Sequence, residues 1–241
     1  GDCRAKKYTL PVGIAASLRQ VHMILAIADI LSASDIEAVR AGLASAPFVD
    51  GKATAGWSAK LVKSNLQASD SPNIERLRSL IETRLVEHPV FALAVRPKAI
   101  MGPLFSRYQP GHAYGTHVDD ALIAGRRTDV SFTLFLAEPE SYDGGELVID
   151  SASGEEAFKL PPGSIVTYPA TTLHRVAPVT RSERLVAAGW VRSYVRDPSH
   201  RELLFDLETA RRRLFDREGK SAEGDLLAKC AANLMRLWCD D

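Results

Sequence analysis

Between residues 90 and 195 the sequence consists of short β-branched or aromatic segments that are separated by turns rich in glycine and proline. The turns QPGHAYG, YDGG and LPPGS contain the residues that most often interrupt regular structure. Many short strands at such intervals are typical of β-sandwiches and jelly rolls. The pattern therefore predicts a β-core over residues 90–195, built from the segments FALAVRP, LFSRYQ, TDVSFTLFLA, GELVID, EAFKL, GSIVTYP, LHRVAPV and SERLVAAGWVRS.

Helices are predicted on both sides of this core. A candidate N-cap at Ser34 opens a helix with apolar residues at helical spacing, and residues 73–88 form a second helix that ends before Pro89. Beyond the core, apolar stripes at residues 203–214 and 226–238 flank the polar segment DREGKSAEGD, which predicts a helical hairpin. The expected fold class is mainly β with flanking helices: N-terminal helices, a jelly-roll core and a C-terminal helical hairpin.

The composition excludes several classes of protein. Thirty basic and 30 acidic residues leave a formal net charge of zero, so the chain lacks the broad positive field that non-specific nucleic-acid binding needs. No apolar run approaches the roughly 18 residues of a membrane span. The cysteines, Cys3, Cys230 and Cys239, offer no disulfide framework. These features predict a cytoplasmic protein that binds neither nucleic acid nor a membrane.

The length of 241 residues suits one sizeable core with an appended subdomain. Residues 1–22 are interpreted as an N-terminal extension, native or left by an expression tag, that is dispensable for chemistry. Residues 23–195 form the main domain, and residues 196–241 form a C-terminal helical subdomain. The apolar stripes of that subdomain must be buried on the core or on another subunit, so a homo-oligomer through these helices is one of the two expected arrangements.

A candidate metal site begins at His117 and Asp119, which flank Val118 in a predicted strand. Side chains at positions i and i+2 of a strand point to one face, so an imidazole and a carboxylate project together. His174 lies on a later predicted strand, and a rolled sheet can bring it to the same place. Two histidines and one carboxylate form the facial triad typical of non-haem Fe(II) oxygenases. Taken alone, His174 is more simply a hydrogen-bonded core histidine.

Arg184 and Tyr108 suggest an anion site beside these residues. Arg184, Val186, Ala188 and Trp190 are alternate residues of one predicted strand. Their side chains are therefore expected to point to the same face of the sheet. A buried guanidinium needs an anionic partner, and no acidic residue follows on that strand face. A bound dicarboxylate would serve, and the hydroxyl of Tyr108 could contact the same anion.

Other residues near the predicted site are weaker candidates. His112 precedes the metal strand in a loop, where a mobile loop residue is a simpler interpretation than a substrate contact. Ser131, Thr133 and Trp190 have the alternation of pocket-lining side chains, although core packing is the more common role for such a tryptophan. Asp120 is expected to point to the opposite face from Asp119.

Three longer stretches resemble a known family. RYQPGHAYGTHVDDAL, RTDVSFTLFLAEPESYDGGELVI and LPPGSIVTYPATTLHRVAPVTRSERLVAAGW resemble the bacterial PKHD-type hydroxylases, which are Fe(II)- and 2-oxoglutarate-dependent dioxygenases related to prolyl 4-hydroxylases. The resemblance extends from about Met23 to the C-terminus. It implies a double-stranded β-helix core, with residues 23–195 as the dioxygenase domain.

The resemblance also implies the roles of five residues. It makes His117, Asp119 and His174 the iron ligands at the catalytic centre, and it makes Arg184 the residue that binds the distal carboxylate of 2-oxoglutarate, supported by Tyr108. Fe(II), the co-substrates 2-oxoglutarate and O2, and L-ascorbate as an iron reductant are then expected. The reaction implied is hydroxylation of an unidentified peptidyl residue or small molecule, with release of succinate and CO2.

Two other classes of function compete with the dioxygenase. A cupin-type enzyme would use the same sheet to hold Zn or Mn, but the absence of further histidines near His117 and the presence of Arg184 disfavour it. A binding module without turnover would keep the fold and lose the site, and the complete triad disfavours that alternative.

Overall fold

A computed structural model describes residues 23–151 and 153–240. The predicted N-terminal extension, residues 1–22, lies outside the described residues. Five α-helices occur in the described part of the chain: α1 (Ala33–Ala44), α2 (Pro72–Glu87), α3 (Pro89–Val95), α4 (Pro198–Glu218) and α5 (Ala222–Trp238).

The described residues also form sixteen strands, several of them only two or three residues long. In chain order these are β1 (Leu25–Ile27), β2 (Phe48–Asp50), β3 (Lys63–Ser64), β4 (Leu66–Ala68), β5 (Pro97–Tyr108), β6 (Ala113–His117), β7 (Leu122–Ile123), β8 (Arg126–Arg127), β9 (Val130–Phe135), β10 (Asp143–Gly144), β11 (Leu147–Ser151), β12 (Gly154–Phe158), β13 (Ile165–Pro169), β14 (His174–Val176), β15 (Val179–Arg181) and β16 (Arg184–Ser193).

The strands form two principal antiparallel sheets. The larger sheet has the order β1-β13-β9-β16-β5-β4-β2, and the smaller has the order β12-β11-β14-β6-β3. From β5 onward the chain passes repeatedly from the larger sheet to the smaller and back, which is the winding of a double-stranded β-helix. The predicted fold class, a jelly-roll core with flanking helices, is confirmed.

Two apolar cores stabilise this arrangement. The first joins the larger sheet to helices α1, α2 and α3, and it includes Val39, Leu43, Ile81 and Leu85 of the helices. The second lies between the sheets and consists of side chains that surround the predicted site: Tyr108, Phe135, Leu147, Ile149, Val166, Tyr168, Val176, Val179 and Val186. Burying one face of each sheet in this way supplies the hydrophobic free energy that holds the two sheets together.

The N-terminal helices differ from the predictions mainly in their boundaries. Helix α1 begins two residues earlier than predicted, because Ser32 rather than Ser34 is its N-cap. The side chains of Ser32 and Asp35 each accept a hydrogen bond from the other residue's backbone N–H, forming a capping box. Helix α2 agrees with its predicted span to within one residue.

The predicted first strand, FALAVRP, is wrong, because most of it is helix α3. His88 caps this helix by accepting a hydrogen bond from Phe91 N, and Pro89 occupies the first helical turn, where its missing N–H costs nothing. Phe91, Ala94 and Val95 are the buried residues, at helical spacing. The β-core therefore begins at Pro97 with strand β5.

The region before the predicted core contributes strands as well. Strands β3 and β4 are separated by Asn65 alone, yet β3 pairs with β6 in the smaller sheet and β4 pairs with β5 in the larger. The chain between Lys63 and Gln67 thus passes from one sheet to the other. It closes one side of the space between them.

The C-terminal segment forms the predicted helical hairpin, in which α4 packs on α5 and on α3. Leu204 and Arg201 of α4 are buried, and Arg201 Nη1 donates to the carbonyl oxygens of Val195 and Arg196. Among the residues that the structure describes, no helix combines the length and apolar character needed to cross a membrane.

We expect a chain truncated after Asp197 to aggregate or to unfold at a markedly lower temperature. The truncation removes the buried Leu204 side chain, and loss of such an apolar group alone costs about 2–5 kcal/mol. It also leaves the Val195 carbonyl without the Arg201 hydrogen bond. Light scattering and thermal unfolding of the truncated chain test this expectation. A folded monomer with the melting temperature of the full chain would contradict it.

Candidate active site

The predicted metal residues lie side by side on the smaller sheet. His117 is the last residue of β6 and His174 is the first residue of β14, and the two are paired in register. Asp119 Oδ1 lies 3.9 Å from His117 Nε2, and Asp119 Oδ2 lies 3.8 Å from His174 Nε2. One ligand atom from each of the three residues lies within 4.8 Å of the others. Their side chains are at most 9% exposed.

Backbone hydrogen bonds orient both imidazoles. His117 Nδ1 lies 2.8 Å from the Gly115 carbonyl oxygen, and His174 Nδ1 lies 3.0 Å from the Thr172 carbonyl oxygen. A carbonyl can only accept, so each Nδ1 carries the proton and each Nε2 keeps a free lone pair. Burial, with a smaller effect of neighbouring His174, lowers the pKa of His117 to about 4. At neutral pH this imidazole is therefore in the form that binds a metal.

Asp119 reaches the site from a loop instead of from a strand. Strand β6 ends at His117, so strand alternation does not extend to Asp119. The Ser131 hydroxyl of β9 donates to Asp119 Oδ2 at 2.6 Å and holds the carboxylate in place. Asp120 lines the same cavity, so the expectation that it faces away is wrong. Asp120 also follows the end of β6, where strand alternation no longer applies.

Arg184 is the largest of the fully buried side chains, with 1% of its surface exposed. It contacts the rings of Tyr108 and Phe135, with its Cζ atom 5.0 and 5.8 Å from the ring centroids. It donates a hydrogen bond to the Tyr142 hydroxyl. Among the described residues, no group accepts a hydrogen bond from its buried Nε and Nη2 atoms. A buried cation with two unused donors fits a bound carboxylate.

The DGG sequence makes room for this guanidinium. Gly145 has a φ of 69°, and a Cβ atom there would lie 2.9 Å from Cδ of Arg184 and from Cγ2 of Val179. Any other residue at this position would force Arg184 or Val179 to shift, and it would be strained by the positive φ. Tyr108 stands directly opposite Arg184 in the β5–β16 ladder. A tyrosine hydroxyl keeps its proton at neutral pH, and burial raises the pKa of Tyr108 further, so the hydroxyl can donate a hydrogen bond.

A cavity of about 300 Å³ joins the triad to Arg184. Ser131, Thr133 and Trp190 line it, as their strand alternation predicted. His112 is not among the lining residues; its Nδ1 accepts a hydrogen bond from Gln109 N in the turn between β5 and β6. The cavity is of the size that holds small ligands.

Strands β3 and β4 contribute a polar wall to this cavity that was not predicted from the sequence. Lys63, Asn65 and Gln67 all line it, and all are buried despite their polarity. Their spacing of two residues in KSNLQ is the signal that was available, since alternate residues of extended chain share a face. Three polar side chains on one face do not resemble a core strand, which is why the pattern was not recognised.

Residues 103–192 match the family model of the 2OG-Fe(II) oxygenase superfamily. The matched range contains the three candidate metal ligands and both candidate 2-oxoglutarate residues. Members of this superfamily use Fe(II) and take 2-oxoglutarate and O2 as co-substrates.

A PKHD-type hydroxylase from Picosynechococcus sp. is 51% identical to this chain over 219 residues, which is 90% of this chain and 100% of the relative. The chain belongs to the PKHD-type hydroxylase family. It is a 2-oxoglutarate-dependent dioxygenase that hydroxylates an unidentified substrate, as the resemblance in the sequence implied.

Solved structures agree in fold. A prolyl-4-hydroxylase from Pseudomonas putida has a TM-score of 0.50 and 22% identity, covering 71% of this chain and 93% of that one. A 2OG-Fe(II) oxygenase family oxidoreductase from Burkholderia pseudomallei has a TM-score of 0.52 and 19% identity, covering 76% of this chain and 92% of that one. At these identities the likeness concerns the fold alone.

Proposed function

We propose that His117, Asp119 and His174 hold the Fe(II) of this hydroxylase, and that Arg184 and Tyr108 bind the far carboxylate of 2-oxoglutarate. The observation that supports this assignment is a single cavity in which three buried ligand atoms lie within 4.8 Å of one another and the buried guanidinium of Arg184 has two unused donors. Two imidazole nitrogens and one carboxylate oxygen suit Fe(II) and leave adjacent coordination positions open.

When bound, Fe(II) and 2-oxoglutarate supply the oxidative decarboxylation that yields succinate and CO2 and inserts one oxygen atom into a substrate C–H bond. The protein supplies orientation. His117 and His174 present their Nε2 atoms because backbone carbonyls fix each Nδ1–H. Ser131 holds one oxygen of Asp119 by a hydrogen bond, and the burial of all three side chains keeps bulk water away from the centre.

The primary substrate is a peptidyl residue or a small molecule. The walls of the cavity are partly apolar, from Val186, Ala188 and Trp190, and partly polar, from Thr54 and Gln67. Apolar walls with a few placed polar groups are typical of sites that bind one small chemical group specifically.

Two measurements test the assignment. Under anaerobic conditions, addition of Fe(II) and 2-oxoglutarate should produce a weak visible charge-transfer band, because the keto acid binds the iron directly. In air, the same mixture should release succinate, and a substrate that fits the cavity should increase that release and gain one oxygen atom by mass spectrometry. A chain that binds Zn or Mn with catalytic turnover and shows neither the band nor succinate would contradict the proposal.

Ascorbate is proposed as the reductant that maintains Fe(II) between turnovers, as the resemblance to the PKHD-type hydroxylases implies. Successive turnovers should decline faster without ascorbate than with it. An enzyme that keeps its full rate over many turnovers without any reductant would rule out this requirement.

A cytoplasmic location and a homo-oligomer are proposed as well. Cys230 and Cys239 are free thiols, which suits a reducing compartment. Leu203 of α4 and Leu226 and Leu237 of α5 are exposed, and a second subunit would cover them. Cell fractionation tests the location, and light scattering of the purified chain tests the assembly; a membrane-bound fraction or a monomer at all concentrations would contradict the respective proposal.

A further inference from the structure

Lys63 is a buried lysine on the wall of the active-site cavity. It is 5% exposed, and its Nζ atom donates a hydrogen bond of 3.0 Å to the Thr54 hydroxyl. An ammonium group has three donors, and the described residues provide no second hydrogen bond and no ion pair in direct contact with it. Asp119 and Asp50 attract the ammonium only from a distance. A buried charge with unused donors is costly, so its direct partner is expected to be a molecule that enters the cavity.

A short hydrogen-bonded row holds this ammonium in position. The Thr54 hydroxyl accepts from Lys63 and donates to Gln67 Oε1 at 2.7 Å, and Gln67 Nε2 lies 3.5 Å from the Ser106 hydroxyl. Thr54 lies at the exposed edge of the cavity, while Gln67 and Ser106 are buried in its wall. The row extends from the cavity mouth inward, and it contains hydrogen-bond donors for an oxygen-bearing ligand.

Lys63 is also close to the metal residues and on a different wall from Arg184. Its Nζ atom lies 5.1 Å from the ring centroid of Tyr114, and the Tyr114 ring stacks on His117 with centroids 3.6 Å apart. Arg184 contacts Tyr108 and Phe135 instead. An anion at Lys63 is therefore adjacent to the candidate metal ligand and distinct from the carboxylate at Arg184.

We propose that Lys63, held in position by Thr54 and accompanied by the side-chain amide N–H of Gln67, forms the binding site for a carboxylate of the primary substrate. The proposal rests on the function proposed above, in that it assumes that the metal site is at His117. It assigns the substrate to a chemical class, carboxylates, and it places the carbon atoms next to the carboxylate beside the reactive centre.

A singly charged carboxylate fits this site better than a phosphate. Among the residues that the structure describes, Lys63 is the one cation on this wall, whereas phosphate sites combine several donors or cations around three oxygens. The carboxylates of Asp119 and Asp50 also act on Lys63 from nearby, and they would repel a dianion. Burial lowers the pKa of Lys63 to about 8, so at neutral pH the ammonium is charged and can pair with the carboxylate.

The test compares carboxylates with their amides. Protein loaded with Mn(II) and 2-oxoglutarate is titrated with free L-amino acids and with the matched C-terminal amides, and the melting temperature is recorded. A second arm uses the peptides acetyl-Gly-Glu-Gly-amide and acetyl-Gly-Gln-Gly-amide, which separate a free carboxylic acid from an acidic side chain. Lys63→Met is the test variant, Lys63→Arg retains the charge, and Lys60→Met, at an exposed lysine three residues away, is the matched control.

We expect a carboxylate probe to stabilise the Mn(II)- and 2-oxoglutarate-loaded parent more than the corresponding amide probe does. Lys63→Met should weaken half-saturation by about tenfold or more, as loss of one charge-assisted hydrogen bond implies. Lys63→Arg should recover part of the difference, and Lys60→Met should match the parent. The arm that responds, amino acid or peptide, identifies the source of the carboxylate.

Three results would overturn the proposal: no carboxylate stabilises the loaded parent more than its amide, Lys63→Met responds as the parent does, or Lys63→Met weakens 2-oxoglutarate binding with no probe present. The last result would assign Lys63 to binding of the co-substrate.

Succinate release by the parent with Fe(II) and no probe is measured separately. Its absence would contradict the proposed function, whereas the melting measurements need no turnover and report on Lys63 alone.

Discussion

Replacing His174 with alanine is expected to abolish both Fe(II) binding and 2-oxoglutarate-dependent release of succinate. His174 would provide one of three protein ligands, and its Nε2 atom lies 3.8 Å from Asp119 Oδ2 in the buried site. Loss of a residue that merely orients a metal ligand typically costs about 10–100-fold in metal affinity. Loss of the ligand itself should cost more than that. Asp119→Ala should have the same effect, because it removes the only carboxylate of the triad.

The measurement is an Fe(II) titration of the purified variants under anaerobic conditions, together with succinate release in air. His112→Ala is the matched control, since this histidine lies in a nearby turn and does not line the cavity. It should keep the parent's Fe(II) affinity within about twofold, which is less than 0.5 kcal/mol. Thermal unfolding without metal establishes that each variant is folded. A folded His174→Ala protein with full Fe(II) affinity would refute the triad.

The two histidines of the candidate triad could be predicted because their chemical type and their places on strands were both visible in the sequence. His117 and His174 lie at strand ends, and the strands that carry them are neighbours. Strand alternation also predicted correctly which side chains of β16 face the cavity: Arg184, Val186, Ala188 and Trp190 all line it. Strand β16 is long and central, and its pairing with β9 keeps one register from Val186 to Val191, although its pairing with β5 shifts between Ala188 and Trp190.

Strand alternation did not predict the direction of side chains beyond the end of a strand. Asp119 and Asp120 follow β6, and beyond a strand end the side-chain direction depends on the loop. Asp119 is held by Ser131, which is 12 residues away in the sequence and belongs to the other sheet. Such a contact between sheets depends on the completed fold and cannot be read from local spacing.

Helix capping explains the other wrong prediction, which made FALAVRP a strand. The apolar residues of FALAVRP suit either a short buried strand or a short helix, because both can be uniformly apolar. His88 and Pro89 favour the helix, since one supplies a capping acceptor for Phe91 N and the other fits the first helical turn. A histidine is not among the common capping residues, so the sequence contained only half of a recognisable helix start.

Replacing Arg184 is expected to weaken 2-oxoglutarate binding by about ten- to a hundredfold, because a hydrogen bond to a charged group is worth about 1.5–3 kcal/mol. Arg184→Met keeps the length and the apolar contacts with Tyr108 and Phe135 but removes the charge. Arg184→Lys should fall between this variant and the parent, since lysine keeps the charge and loses the planar pair of donors. Fe(II) affinity should change little in either variant, because Arg184 is not one of the three candidate ligands.

Isothermal titration of 2-oxoglutarate into the Mn(II)-loaded protein measures this effect directly. Arg181→Met is the matched control: Arg181 lies three residues away, is exposed and pairs with Asp143 at 2.6 Å. An exposed ion pair of this kind contributes at most about 1 kcal/mol to stability. The control should therefore leave the dissociation constant of 2-oxoglutarate unchanged.

Thermal unfolding separates a co-substrate role of Arg184 from a structural one. Without 2-oxoglutarate, Arg184 is a buried cation with two unused donors, so Arg184→Met should unfold at the same temperature as the parent or higher. At a co-substrate concentration a hundred times the parent's dissociation constant, 2-oxoglutarate should stabilise the parent by about 2.7 kcal/mol, and a variant with hundredfold weaker binding by only about 0.4 kcal/mol. If Arg184→Met instead lost stability without ligand and kept its 2-oxoglutarate affinity, the arginine would be a structural element of the sheet, and the carboxylate would have to bind elsewhere in the cavity.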